Sequence, residues 1–162
     1  MEPSEIVAVN ELAFEWRALV AAALQARSHA YAPYSHFAVG AALRTRSGRI
    51  FDGCNVENGS YGLTICAERV AVSKAISEGD SAFTHLVVVT EPGAMPCGAC
   101  RQVLHEFVAD LPVLIADTAG HAWLTTLSAL LPHSFPAQEI AGALAEPVAA
   151  AALGPASPAG AD

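Results

Sequence analysis

Hydrophobic positions fall into alternating stretches of helical and extended spacing along the chain. Leu12, Phe14, Trp16, Leu19, Val20, Ala23 and Leu24 recur mostly at helical spacing, which predicts a helix over about 12–29. Tyr31–Ser35 breaks it. Phe37–Arg46 and Ile50–Val56 read as two strands joined at a Ser47-Gly48 turn, a hairpin signal. Thr64 is a plausible N-cap for a helix over Cys66–Ser77, stopped by Gly79. His85–Thr90 is a buried strand, followed by a short loop and a second cysteine-led helix, Cys97–Val108. Pro112–Ala116 and Ala122–Thr125 read as strands around a turn at Thr118–Gly120, and Leu127–Leu131 as a short helix. Residues 1–11 carry no periodic signal. Strands alternating with helices predict an α/β sheet covered on both faces, and the opening hairpin makes its five strands mixed. Trp16 and Phe14 are expected to pack their helix onto it. The domain is expected over 1–140, followed by an Ala/Pro-rich loose tail over 141–162.

Composition narrows the class. The 162 residues fit one domain. Four cysteines are too few for a disulfide scaffold. No apolar run reaches the ~18 residues of a membrane span, and no signal peptide is visible. A net charge of −8 without a basic run argues against nucleic acid. The expectation is a cytoplasmic protein with reduced thiols and no membrane partner. Charged residues are 15% and apolar residues 53%, which suggests surface buried between subunits.

The chemistry concentrates in two cysteine motifs. Cys66-Ala67-Glu68 and Pro96-Cys97-Gly98-Ala99-Cys100 each open a predicted helix. The positive end of a helix favours thiolate, the form that binds metal. Cys97 and Cys100, one turn apart, can present both sulfurs to one Zn²⁺, and Cys66 can supply a third. Three thiolates leave a tetrahedral zinc with one open position, where a water would become acidic. Glu68 can face that position and shuttle a proton without ligating. Arg69, in preference to Arg101, can withdraw charge from thiolate sulfur. A lone Cys-x-x-Cys is also a thioredoxin-like redox signature, but Cys66, Glu68 and the Asn55/Glu57 pair have no role in that reading. A structural zinc site would need a fourth ligand. Cys54 is the spare cysteine, and it reads better as a buried strand residue. His36, His85, His105, His121 and His133 lack metal spacing.

Cys-x-Glu followed 31 residues on by Pro-Cys-x-x-Cys is similar to the zinc deaminase signature. Together with Tyr34–Gly40, Cys54–Asn58, Pro96–Gln102 and Leu130–Phe135, it resembles the small cytidine deaminases of pyrimidine salvage over roughly residues 12–136. The resemblance implies a three-layer α/β/α fold, one zinc per subunit, and hydrolytic release of ammonia from free cytidine and deoxycytidine. It implies that Glu68 moves the protons, Phe37 stacks on the pyrimidine, and Asn55 and Glu57 hold ribose hydroxyls. The backbone around Ala67 would read the ring carbonyl. Tyr61 and Phe135 would close a neighbouring subunit's pocket in a homotetramer. The loop Glu91–Met95 looks shorter than the family's, with Met95 where a small polar residue is common. Two alternatives stay open: deamination of another amino-heterocycle, such as an aminopyrimidine antibiotic, and a zinc-stabilised binding module without catalysis.

Overall fold

A computed structural model of the chain describes residues 6–135, and the expected tail over 141–162 lies outside them. The strand Phe83–Val89 (β4) explains the layering. Its Leu86 and Val88 enter one apolar cluster, and its Val87 and Val89 enter another. A strand buried on both faces needs a helix layer on each. Helix α1 (Phe14–Arg27) covers one face with Leu19, Val20 and Ala23. Helices α2 (Ala67–Ser77), α3 (Gly98–Phe107) and the single turn α4 (Leu127–Leu130) cover the other, through Ala71, Val72, Leu104 and Leu127. The result is the expected three-layer α/β/α arrangement.

The sheet also contains β1 (Val7–Ala8), β2 (Gly40–Thr45), β3 (Ile50–Cys54), β5 (Pro112–Ala116) and β6 (His121–Thr126). The order is β1-β6-β5-β4-β2-β3. β4 and β5 run parallel, and the other neighbours are antiparallel. The sheet is therefore mixed, with six strands rather than five. The extra strand pairs Val7 with Ala122 and Ala8 with His121 at the edge. Two residues are too few to show an alternating pattern. The β2–β3 hairpin turns where expected, with Gly48 at φ +88. No helix among the described residues is long and apolar enough to cross a membrane.

Three local expectations change. Helix α2 is N-capped by Cys66, and the Thr64 hydroxyl instead accepts a hydrogen bond from the Asn58 amide at 3.2 Å. Phe14 is 76% exposed at the start of α1 and does not pack; Trp16 does, edge-on to His85. Cys54 is half-buried at the end of β3, and its thiol donates to the His29 carbonyl at 3.4 Å.

Gly53 in β3 sets the height of α2. A Cβ there would lie 2.5 Å from the Ala67 carbonyl oxygen and 2.7 Å from the Ala71 amide nitrogen. Only a residue without a side chain lets the first turn of α2 lie this close to the sheet. That turn carries Glu68 and follows directly from Cys66.

Candidate active site

Two helix N-termini meet at the end of β4. Each has a cysteine at its N-cap in extended conformation: Cys66 (φ −71, ψ 154) before α2 and Cys97 (φ −68, ψ 163) before α3. Cys100 lies one turn into α3. The three sulfurs all lie within 4.8 Å of one another, and those of Cys66 and Cys97 are 3.9 Å apart. Tetrahedral zinc with Zn–S bonds of about 2.3 Å requires sulfurs about 3.8 Å apart. The donor set therefore fits zinc in element, spacing and number, leaving the fourth position without a protein ligand. Among the described residues, this trio is the only metal-capable group of His, Cys, Asp and Glu.

The electrostatics of the trio ask for a cation. A hydrogen bond from the Cys100 thiol, followed by one from Arg69, lowers the Cys66 thiol to about 5. Cys100 is pushed up, first by that same hydrogen bond and then by burial. Three sulfurs this close cannot all ionise without a positive partner. Arg69 supplies part of it. Its Nη2 donates to the Thr64 carbonyl at 2.8 Å and to Cys66 Sγ at 3.8 Å. Its Nε is buried with no hydrogen-bond partner among the described residues. Arg101 behaves differently from its neighbour in sequence: it reaches two backbone carbonyls and no sulfur.

A cavity of about 430 Å³ opens beside Cys66 and Cys97. Glu68 lines it and is only 4% exposed. Burial raises the Glu68 carboxyl above the ordinary carboxylate range. Phe37, Asn55, Glu57 and Ala67 line the same cavity, so one space gathers most of the residues singled out from sequence. Val39 and Val88 add apolar wall. The β4–α3 loop forms another side through Ala94 and Met95. That loop is held firmly: the Thr90 hydroxyl accepts from the Ala94 amide at 2.6 Å, and Gly93 sits at φ +70 under the Trp123 ring. A Cβ on Gly93 would fall 2.1 Å from the indole.

Asn55 and Glu57 are already engaged. The Asn55 side chain accepts from the Val39 amide and donates to the Phe37 carbonyl, both at 2.9 Å. One N–H of its amide remains for a ligand. The Glu57 carboxylate accepts from the Ser35 hydroxyl and from the Tyr34 and Ser35 amides, and these hold it below its usual range. The pair therefore shapes the 34–39 segment that presents Phe37. Thr90 and Thr64, neither of them expected from the sequence to face a ligand, also line the cavity. Thr90 carried a weak signal, a hydroxyl ending an apolar strand.

Tyr61 and Phe135 stand apart from this space. Tyr61 is 76% exposed beside a shallower hollow that it shares with Tyr34 and Glu57. Phe135 is 60% exposed, with its carbonyl accepting from Gln102 Nε2 at 3.4 Å.

Comparison with known proteins places this arrangement. The sequence model of the cytidine and deoxycytidylate deaminase zinc-binding region matches residues 15–115. A cytidine deaminase of Sporosarcina psychrophila is 46% identical over 125 residues, covering 75% of this chain and 92% of the relative. The crystal structure of cytidine deaminase from Burkholderia pseudomallei superposes with a TM-score of 0.71 at 48% identity, covering 74% of this chain and 98% of that one. A blasticidin-S deaminase of Bacillus cereus is 33% identical, over 60% of this chain and 76% of its own length. With its paired cysteine-led helices and a matching family region over most of the described residues, the chain belongs to the zinc-binding cytidine and deoxycytidylate deaminase family.

Proposed function

We propose that this chain catalyses hydrolytic deamination of free cytidine and deoxycytidine, yielding uridine or deoxyuridine and ammonia, with one zinc per subunit. One observation carries the reading: a single cavity joins a buried carboxyl, two sulfurs of the metal-capable trio and a set of groups suited to a nucleoside. Cys66, Cys97 and Cys100 would hold the zinc, and Arg69 would draw charge from the Cys66 sulfur. When bound, zinc supplies Lewis acidity that lets a water lose a proton near neutral pH. Glu68 takes that proton and delivers it to ring N3 as the water's oxygen bonds to C4; it then takes the remaining hydroxyl proton and passes it to the amino group, so that the C4–N bond breaks, ammonia leaves and C4 becomes a carbonyl. Alternating between base and acid needs a carboxyl that holds a proton readily, and burial moves Glu68 in that direction. Phe37 keeps 40% of its surface free for stacking on the base. The remaining Asn55 N–H donates to a ribose hydroxyl, and Glu57 accepts from one. Ala67, at the N-terminus of α2, offers its backbone to the ring carbonyl.

The test is ammonia release from cytidine, deoxycytidine, cytosine, a cytosine-containing oligonucleotide and blasticidin S. The two nucleosides are expected to lead. Cytosine, without the sugar hydrogen bonds at about 0.5–1.5 kcal/mol each, should fall at least ~10-fold in kcat/KM. An oligonucleotide that outpaces cytidine overturns the reading. Blasticidin S as the best substrate would establish the alternative that the Bacillus cereus relative favours.

The reading includes a homotetramer in which Tyr61 and Phe135 complete a neighbour's pocket. Its support is exposure: Tyr61, Leu63, Ile65 and Phe135 leave large apolar surface uncovered within one chain. Light scattering is expected to give four chain masses, and one chain mass refutes the shared pocket. Ionisable, unpaired thiols in the site suit a reducing compartment, the cytoplasm, and a salvage role.

A further inference from the structure

Arg101 follows Cys100 directly, yet its guanidinium turns away from the sulfurs. Its Nε donates to the Pro96 carbonyl at 2.7 Å, and its Nη1 donates to the Leu130 carbonyl at 2.7 Å. The first carbonyl belongs to the peptide that leads into Cys97. The second belongs to the last residue of α4, where helix carbonyls lack intrahelical partners. Among the described residues Arg101 forms no ion pair. A rigid planar fork fixes the spacing of two acceptors in a way that a flexible ammonium cannot. The same helix grips the chain beyond α4 twice more. Gln102 Nε2 donates to the Phe135 carbonyl at 3.4 Å, and His105 Nε2 lies 2.7 Å from Ser134 Oγ.

We propose that Arg101 is a positioning residue that bolts the Pro96–Cys97 bend to the segment Leu130–Phe135, so that the metal site and this segment hold each other in place. The proposal rests on the zinc reading above. It gives Arg101 a role distinct from that of Arg69: one tunes a sulfur, the other fixes where a sulfur stands. Coupling of this kind is reciprocal. Metal binding should order residues 130–135, and loosening that segment through Arg101 should weaken the hold on metal. Because Phe135 ends the segment, a residue expected to serve a neighbouring pocket is tied to this chain's own metal site.

The test uses the full-length protein loaded with cobalt or zinc. Cobalt reports ligand geometry through its visible bands, and zinc release is followed with a chromogenic chelator. Arg101→Ala is expected to shift the cobalt bands and speed zinc release about 10–100-fold, the usual scale for a partner that orients a ligand. Arg101→Lys, able to hold one carbonyl, should recover part of the retention, and it carries the test if the alanine variant does not fold. Gln102→Ala frees Phe135 without touching Pro96 and should leave the cobalt bands unchanged. Hydrogen exchange at 130–135 should rise when metal is stripped from the parent protein, and should already be high in Arg101→Ala. Parent-like bands and release in Arg101→Ala overturn the proposal, as does an equal change in Gln102→Ala. Failure of the parent protein to take up either metal refutes the zinc reading itself, an outcome visible before any variant is made.

Discussion

Glu68→Gln is expected to keep its zinc and lose about 10²–10⁴-fold in kcat, the scale of a general acid–base group. The two side chains have nearly the same shape, and the site is buried, so the amide fits where the carboxyl was. It cannot accept and release a proton. Water cannot easily take over, because the Glu68 position is only 4% exposed. Removing a desolvated carboxyl also removes a folding cost, so thermal stability should hold or rise. Metal analysis, a melting curve and ammonia release on one preparation test all three statements. Near-normal turnover in a zinc-loaded variant would show that Glu68 does not carry the proton.

The layered fold was legible because its core obeys simple rules. The run Leu86–Val89 is apolar at every position, and such a run is buried on both faces wherever helices flank it. The departures have physical causes. The edge strand Val7–Ala8 is too short for periodicity to reveal it. Phe14 matches a helical repeat, but it is the first residue of α1 and its side chain stays exposed. Thr64 looked like an N-cap because a hydroxyl is usually preferred there. The caps of α2 and α3 are cysteines instead, and neither makes a side-chain capping hydrogen bond. Local preference gives way where the side chains must converge on one another.

The site was legible in its membership more than in its internal bonding. Asn55 and Glu57, two residues apart on extended backbone, do project into one space. Their hydrogen bonds to the 34–39 segment depend on how the chain folds back from α1, which no local pattern encodes. Adjacency to Cys100 suggested a sulfur contact for Arg101. In an α-helix, successive side chains point about 100° apart, so neighbours in sequence do not share a target.

Cys97→Ser is expected to separate the metal site from the stability of the fold. A serine hydroxyl does not ionise near neutral pH, and its shorter bond leaves the oxygen short of a position set for sulfur. Zinc content should drop well below one per chain, with retention weakened by more than ~10²-fold and ammonia release falling in parallel. The metal-free protein should respond in the opposite direction. Cys97 is the uncapped N-cap of α3, and serine is among the residues that cap best, adding roughly 0.5–1 kcal/mol. The metal-free variant should therefore melt slightly above the metal-free parent, while added zinc raises the parent's melting temperature and leaves the variant's nearly unchanged. Two melting curves for each protein, with and without zinc, distinguish the cases. Unchanged zinc content refutes Cys97 as a ligand. Lost zinc with a marked fall in metal-free stability would instead mean that Cys97 holds the fold together by packing, which its exposed position at the helix start argues against.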